Sequence, residues 1–589
     1  MTPTNRRWVQ HPQRTPEARA LASELGSSPV IAQILMNRGL KSLQEMRAFL
    51  SPSLNSLHDP GLLPDIEPAL ARIDDALAKG QRIVVYGDYD VDGISATALL
   101  LRFFRLLGRD AGFYIPQRLE EGYSLNINAI EKLANEGASL IITVDCGTCD
   151  VAVVERARQL GVDVLITDHH EQGNSLPPAV AIVNPKRRDS RYPFRDLSGV
   201  GVAFKLVWAF AQRLSNDRKV SEEFRDFLID SVGLVALGTV ADVVPLLDEN
   251  RVFAHYGLKA LATCENPGIR ALIRVSDLEG KEMLTHHVGF RLGPRLNAGG
   301  RLGSPYGSVE LLATATEPRS SELALALDRA NKERRRIEAE IFQGASQMLK
   351  DDPAHLDGNV IVLANETWHC GVLGIVASKL MEQYYRPVIL ISFDSGEGRG
   401  SGRSIPGFHL QQALISCQQT MVSCGGHAMA AGLRIRPEQV PVLREKLNAY
   451  ARENLSTADL TPALQIDDEI SLAAVTKELV QELARLEPCG VGNRTPMFLS
   501  RGLQIAGDPQ VMGTKGEHLQ FVVSQGPVSL RAVAFGSGAL RDRLVRWKSA
   551  GEKIALVHQP ALNTWRNMET VELRVKDFDI DASQPVLQK

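Results

Sequence analysis

Between residues 81 and 183 the chain alternates short apolar runs with longer stretches whose apolar residues recur at helical spacing. The runs fall at 83–86, 112–115, 140–144, 162–167 and 180–183, and residues 95–107, 127–135 and 151–160 carry the helical pattern between them. Short strands regularly separated by helices read as repeated β–α–β units. They predict a doubly wound, mainly parallel sheet with helices on both faces. Helical segments around 200–240 and 252–275 complete this domain.

Residues 323–349 keep a charged amphipathic pattern, including Asn331-Lys332-Glu333-Arg334-Arg335-Arg336, with no Gly or Pro before Gly344. That predicts a long connecting helix. Its arginines read equally well as a solvated face or as contacts to a phosphate backbone. A second alternation (360–364, 372–385, 388–392) predicts a smaller α/β domain and ends in a Gly/Ser/Arg-rich stretch read as a loop. After a polar link at 456–462, alternating runs at 497–500, 519–524, 529–535, 554–559 and 570–577 predict a small β-barrel of the OB type. Ahead of all this, Pro12, Pro16, Pro29, Pro52, Pro60 and Pro64 punctuate short amphipathic pieces. The expected architecture is a helical lead-in at 1–80, a doubly wound α/β domain at 81–320, and a connecting helix at 321–352. A smaller α/β domain at 353–455 and an OB-like barrel at 463–580 follow.

Composition adds bounds rather than detail. A chain of 589 residues has room for about three or four domains. At 44% hydrophobic and 23% charged it is close to the average soluble protein. The net charge of -3 does not exclude a nucleic-acid partner, provided that Lys and Arg concentrate somewhere. No apolar stretch approaches the ~18 residues of a membrane helix, and no apolar run follows Asn5-Arg6-Arg7 as a secretory signal requires. Seven cysteines argue against a disulfide framework and for a reducing compartment. The expectation is a cytoplasmic protein with no membrane partner. No P-loop is present, and Gly199-Val200-Gly201 is too little for a dinucleotide fingerprint.

The chemistry gathers at the predicted strand ends. The first strand runs into Gly87-Asp88-Tyr89-Asp90-Val91-Asp92-Gly93, three alternating acids that repel one another unless a cation or proton compensates. A calcium loop would need Glu where Leu99 stands. The third strand ends in Val144-Asp145-Cys146-Gly147, and the fourth in Thr167-Asp168-His169-His170-Glu171. A further acid, Asp242, interrupts the apolar segment Thr239-Val240-Ala241-Asp242-Val243-Val244. Taken singly, each has a plain explanation: a strand-end Asp is more often a helix N-cap, a His-His pair is more often a surface pair, and Asp242 could be a satisfied buried acid. Taken together they converge on the carboxyl edge of one parallel sheet, where ligands bind. Carboxylates with imidazole suit Mn²⁺ or another first-row ion better than Ca²⁺. Cys146-Gly147-Thr148-Cys149 has no second pair, so a zinc or redox role is set aside.

Asp168-His169-His170 is the signature for which the DHH phosphoesterase family is named, and the segments at 87–93, 144–147 and 239–244 resemble its other motifs in order. Gly425-Gly426-His427 resembles the signature of the DHH-associated domain, and Gly400-Ser401-Gly402-Arg403-Ser404 resembles that domain's substrate loop. Pro294-Arg295-Leu296-Asn297-Ala298-Gly299-Gly300-Arg301, and Arg118 before Glu121-Gly122-Tyr123, are similar to the RecJ-type nuclease branch. Some DHH pyrophosphatases carry a histidine where Tyr86 stands, and the nuclease branch lacks it.

The resemblance implies two Mn²⁺ or Mg²⁺ ions held by Asp90, Asp92, Asp145, His169 and Asp242, with Asp145 bridging. It makes Asp88 and Asp168 orienting groups or weaker ligands. His170 would meet the scissile phosphate or the leaving oxygen, and His427 would approach the same phosphate. Arg118, Ser401, Arg403 and Ser404 would hold a 5′-terminal phosphate, and Arg295, Asn297, Arg301 and Gly426 would line the path of the strand. In the barrel, Phe521, Phe535, Trp547 and Trp565 are candidates for stacking on bases. The implied activity is 5′-to-3′ degradation of single-stranded DNA to 5′-mononucleotides in recombination and repair. The enzyme would be a monomer working with a helicase and a single-strand-binding protein. Two alternatives are a phosphodiesterase of the same family acting on short oligonucleotides, and an inactive single-strand-binding replication factor.

Overall fold

The computed structural model describes residues 6–118, 121–122, 124–394, 396–565, 568–580 and 586–588. Within it the chain forms two compact units, one of residues 52–454 and one joining residues 1–51 to 455–589.

In the larger unit, five parallel strands lie in the order Gly112–Tyr114, Ile83–Gly87, Leu140–Val144, Asp163–Thr167, Ala181–Val183. The runs are almost wholly apolar because both faces are covered. Val85, Ile142, Leu165 and Val183 point into one core with helices Ile66–Ala78, Val91–Leu106, Gly199–Ser215 and Glu222–Ala241. Their neighbours Val84, Ile141, Ile166 and Ile182 point the other way, onto helices Ile127–Asn135 and Val151–Gln159. The doubly wound domain expected from the alternation is present.

Helix Arg319–Asp351 is 33 residues long, roughly 50 Å at the α-helical rise. It leads into a second sheet ordered Ser423–Gly426, Ala430–Ile435, Glu397–Arg403, Val388–Asp394, Ile361–Asn365. Only the last two strands pair in parallel. Here the structure corrects the sequence reading, because the Gly/Ser/Arg-rich stretch is not a loop. Glu397–Arg403 is the central strand, paired antiparallel on both sides. Its glycines hide the usual apolar alternation because neighbouring side chains fill their places. A methyl on Gly400 would lie 2.8 Å from Leu433 Cγ, and one on Gly402 2.9 Å from Leu410 Cδ2.

The other unit holds a closed β-barrel. Its strands run Phe498–Met512, His518–Gln525, Val528–Ala534, Met568–Ile580 and Ile554–Trp565, and Phe498–Met512 also pairs with Ile554–Trp565. The N-terminal residues belong here as well, so the lead-in read as one piece is divided. Arg7–Gln10 is a strand lying between Ala463–Ile466 and Val586–Gln588 and parallel to both. Its Trp8 is fully buried and donates Nε1–H to Asp577 Oδ2 at 3.0 Å. A four-residue strand with one inward side chain gives too short an alternation to read. Among the described residues no helix is long and apolar enough to cross a membrane.

Candidate metal centre and phosphate pocket

The first and third strands of the parallel sheet are neighbours, and Gly87 pairs with Val144 at their carboxyl ends. The winding direction of the sheet reverses between these two strands, which leaves a crevice beyond their ends. The next residue on each chain is an acid, Asp88 on one and Asp145 on the other. Asp145 takes φ +63°, a left-handed conformation that costs a non-glycine residue on the order of 1–3 kcal/mol and concentrates at functional sites. Its N–H donates to the Thr167 carbonyl at 3.0 Å.

Helix ends aim the neighbouring acids. Asp90 is the N-cap of Val91–Leu106 and accepts the N–H groups of Asp92 and Gly93 at 2.9 and 3.2 Å. Asp90 is thus a helix N-cap as well as a member of the acidic cluster, whereas the strand-ending acids Asp145 and Asp168 cap no helix. Asp92 is completely buried and accepts from Gly199 at 2.6 Å and Val200 at 2.9 Å. These donors open helix Gly199–Ser215, whose dipole favours the negative charge. Asp242 is the C-cap of Glu222–Ala241.

Asp168 Oδ1 accepts the N–H groups of His169 and His170 at 2.7 and 3.1 Å and lies 2.8 Å from His170 Nδ1. Its other oxygen accepts the Thr148 N–H at 2.9 Å. So engaged, Asp168 orients the His170 imidazole and the backbone of both histidines rather than offering itself to a cation. His169 Nε2 lies 3.1 Å from Asp145 Oδ1, 3.5 Å from Asp242 Oδ2 and 4.0 Å from Asp92 Oδ2.

Three sets of ligand atoms each fit within 4.8 Å: Asp88, Asp90 and Asp145; Asp92, His169 and Asp242; and Asp145, His169 and His170. Asp145 and His169 each belong to two sets, so the three form one centre. Asp88 Oδ1, Asp145 Oδ1 and His169 Nε2 are buried without a hydrogen-bond partner, a state costing about 1–3 kcal/mol per group. Carboxylate oxygens with one or two imidazoles are a donor set that a divalent ion satisfies.

The electrostatics agree. Burial first, then the charge of Asp90, raises Asp88 well above the usual carboxylate range. Burial and Asp92 do the same to Asp145 and Asp242. Asp92 is raised to about 7 by burial and Asp90, against the pull of its two backbone donors. Burial, with His170 beside it, lowers His169 to about 3 and leaves a neutral imidazole fit for coordination. Burial also opposes the charge on His170, but Asp168 outweighs it and raises this histidine to about 9.

A cationic pocket borders the acids, and the charge of Arg118 acts on Asp88. The Arg118 guanidinium lies 5.1 Å over the Tyr89 ring. Burial, then the charges of Arg118, Arg334 and Arg403, holds Arg301 well below the usual guanidinium range. Burial and Arg118 lower Arg403 as well. Positive charge collects here as it does where a phosphate is held. Ser401 shares the pocket, because a methyl on Gly374 would meet both its Oγ and Arg403 Nη2 at 2.9 Å.

Other candidates lie differently from the expectation. Arg295 donates to Asp328 Oδ1 and to the carbonyls of Arg291 and Val275, so its charge is spent on packing helix Gly293–Leu302 against the long helix. Ser404 is buried and donates to the Phe408 carbonyl at 2.7 Å, which closes a turn instead of facing a ligand. Asn297 is half-buried on helix Gly293–Leu302. Gly426, at φ +143°, sits where a methyl would be 2.4 Å from the Ala430 carbonyl. This glycine turns the chain so that His427 stands exposed at the hairpin tip. Tyr86 is buried in the core on the other side of the sheet, where its hydroxyl donates to the Ser124 carbonyl. In the barrel, Phe521 is core, Phe535 is 61% exposed and Trp547 packs edge-on to Phe578. Tyr123 and the side chain of Trp565 lie outside the described residues. All seven cysteines are free; Cys146 is buried, and Cys149 donates to the Glu171 carbonyl.

Two groups of residues escaped the sequence reading. Gly199 and Gly238 lie against the acids: a methyl on the first would be 2.6 Å from Asp145 Oδ1, and one on the second 2.4 Å from Asp92 Oδ1. The loop around His369 and Gly371 borders the cationic pocket, where a methyl on Gly371 would reach 2.3 Å from the Arg301 carbonyl. That loop follows the carboxyl end of a parallel strand, the same rule that exposed the acids in the first domain.

Comparison with known proteins places this fold and site in the DHH class. The model of the DHH family, N-terminal domain, matches residues 82–239, the DHHA1 domain matches 357–453 and the RecJ OB domain 466–577. The chain is 36% identical to the single-stranded-DNA-specific exonuclease RecJ of Bacillus subtilis (strain 168), over 99% of this chain and 72% of that protein. With the Escherichia coli (strain K12) protein of the same name it is also 36% identical, over 82% and 84%. A crystal structure of RecJ from Thermus thermophilus in complex with Mn²⁺ superposes with a TM-score of 0.82 at 28% identity, covering 99% of this chain and 80% of that one. The chain belongs to the RecJ family.

Proposed function

We propose that this protein is a 5′-to-3′ exonuclease that degrades single-stranded DNA to 5′-mononucleotides by phosphodiester hydrolysis. The observation carrying the reading is the shared position of Asp145, whose carboxylate joins the Asp88–Asp90 set to the His169 set. Asp88, Asp90 and Asp145 would hold one Mn²⁺ or Mg²⁺ ion, and Asp92, Asp145, His169 and Asp242 a second. Two such ions supply an activated water at neutral pH and neutralise charge on the phosphate under attack. His170, kept protonated by Asp168, offers a proton to the leaving oxygen or a hydrogen bond to the phosphate. Arg118, Arg301, Ser401 and Arg403 receive the 5′-terminal phosphate and so set polarity, while Asn297, Gly426 and His427 line the strand and Arg295 supports the helix that carries Asn297 and Arg301.

The domain division 81–320, 321–352, 353–455 and 463–580 is proposed as catalytic, connecting, substrate-binding and single-strand-binding, with Phe535 the exposed ring of the barrel. A cytoplasmic monomer acting behind a helicase, on DNA met by a single-strand-binding protein, completes the reading. The test uses long single strands labelled at one end, with Mn²⁺. Mononucleotides released from the 5′ end first, and lost with Asp145→Asn, are expected. Cleavage of short oligonucleotides alone, or binding without cleavage, would overturn it.

A further inference from the structure

Phe290 is 82% exposed, more than any other large apolar side chain among the described residues. It lies in the π-helical turn Val288–Leu292, which runs directly into helix Gly293–Leu302. Leaving such a ring in water forfeits about 1.5–3 kcal/mol of burial, and π turns recur at functional sites.

The other faces of this helical stretch are accounted for. Val288, Leu292 and Leu296 are buried in the core. Gly293 and Gly300, two turns apart, lie against the elements that bear the acids. A methyl on Gly293 would stand 3.6 Å from Ala241 Cβ and 3.7 Å from Val91 Cγ2, and one on Gly300 3.3 Å from the Tyr89 carbonyl. Ala241 precedes Asp242, Val91 separates Asp90 from Asp92, and Tyr89 separates Asp88 from Asp90. Asn297 and Arg301, four residues apart, share an adjoining face of the helix, and Phe290 stands in the π turn ahead of them, roughly 16 Å along the chain from Arg301. A ring thus marks one end of this edge and a guanidinium of the cationic pocket the other, with the acids alongside. At the Phe290 end, Val243 follows Asp242 directly, 63% exposed and held at φ +65°.

We infer that Phe290 is the stacking platform for a base on the 3′ side of the phosphate being cut. The inference rests on the nuclease reading above. A strand whose terminal phosphate sits at Arg301 presents its first phosphodiester to the acids and continues toward Phe290. Stacking accepts any base, as an enzyme advancing along arbitrary sequence requires.

The experiment compares KM for a long 5′-phosphorylated single strand with KM for a 5′-phosphorylated dinucleotide abasic at its 3′ residue, in Mn²⁺, for the wild type, Phe290→Ala and Phe290→Trp. Phe290→Ala should raise the long-strand KM about five- to a hundredfold, far more than the dinucleotide KM, and Phe290→Trp should restore it. A strand abasic at one position near the 5′ end should reproduce the defect in the wild type and make Phe290→Ala cost nothing further. Equal effects on both substrates, or a defect indifferent to the abasic position, would overturn the inference and leave the nuclease reading standing. A wild type that releases no nucleotide would overturn both.

Discussion

His170 Nδ1 lies 2.8 Å from Asp168 Oδ1, and that carboxylate also accepts the backbone N–H groups of both histidines. One acid therefore sets the direction and the charge of the imidazole beside the metal centre. Asp168 is held well below the usual carboxylate range, since its bonds from His170 outweigh burial. His170 is raised to about 9. In protein stripped of metal by chelation, the pair stabilises the fold fully between the ordinary carboxylate range and pH 6.5, the ordinary histidine value; it loses this as pH rises through 9, and also as pH falls toward the depressed range of Asp168. Imidazole proton NMR should show His170 titrating near 9 in the wild type and nearer its ordinary value in Asp168→Asn. An unmoved titration in the variant would separate the two residues.

Asp145 is buried among like charges, so its ionised form costs stability until a cation arrives. Asp145→Asn should therefore melt higher than the wild type in chelator at neutral pH, and gain less from added Mn²⁺. The wild type should gain about 2.7 kcal/mol at a hundredfold excess of metal over Kd. Turnover in the variant should fall on the order of 10³-fold or more. Because Asp92 rises to about 7, the metal-free wild type should lose stability between the ordinary carboxylate range and pH 7. Thermal melts across pH, with and without Mn²⁺, read each of these signs.

Gly238→Ala tests how tightly the acids are positioned. Its methyl would have to share space with Asp92 Oδ1 at 2.4 Å and Val200 Cγ1 at 2.7 Å. An ångström of displacement at a reacting centre costs about 10²-fold in rate, so kcat should drop by that order. Circular dichroism should retain the helical content, and a variant with full kcat would show the carboxylate free to move.

Lys205 tests the packing beneath the centre. It is wholly buried, with Nζ 2.6 Å from Glu249 Oε1, while Tyr192 donates to the other oxygen of Glu249 at 2.7 Å and the His58 N–H donates to Oε1 at 2.9 Å. Lys205→Met leaves that carboxylate without its cation and should cost about 3–5 kcal/mol, whereas Lys205→Met with Glu249→Gln should recover much of it. Denaturant unfolding of the two variants provides the comparison.

The parallel sheet and its acids were legible in the sequence because strands covered on both faces are unbroken apolar runs, so Asp88, Asp145 and Asp168 stand out where the runs stop. The roles of Gly199 and Gly238 were not legible, since a glycine's closeness to a carboxylate leaves no periodic trace. The strand Glu397–Arg403 escaped for a related reason: three of its residues are glycines whose space is filled by Leu433, Leu410 and Phe393. Arg295 and Arg301 look alike in one motif, yet Asp328, 33 residues on, claims the first. Partners at that distance decide which arginine stays available, and local pattern does not encode them.

The strand Arg7–Gln10 carries a consequence for synthesis. Its neighbour Gln13 donates to Asp468, 455 residues later, and both strands flanking Arg7–Gln10 come from the far end of the chain. At about 5–20 residues per second, the ribosome keeps this segment waiting for tens of seconds while residues 52–454 fold. During that interval the ring of Trp8 and an unpaired strand edge face solvent, the kind of surface that chaperones bind.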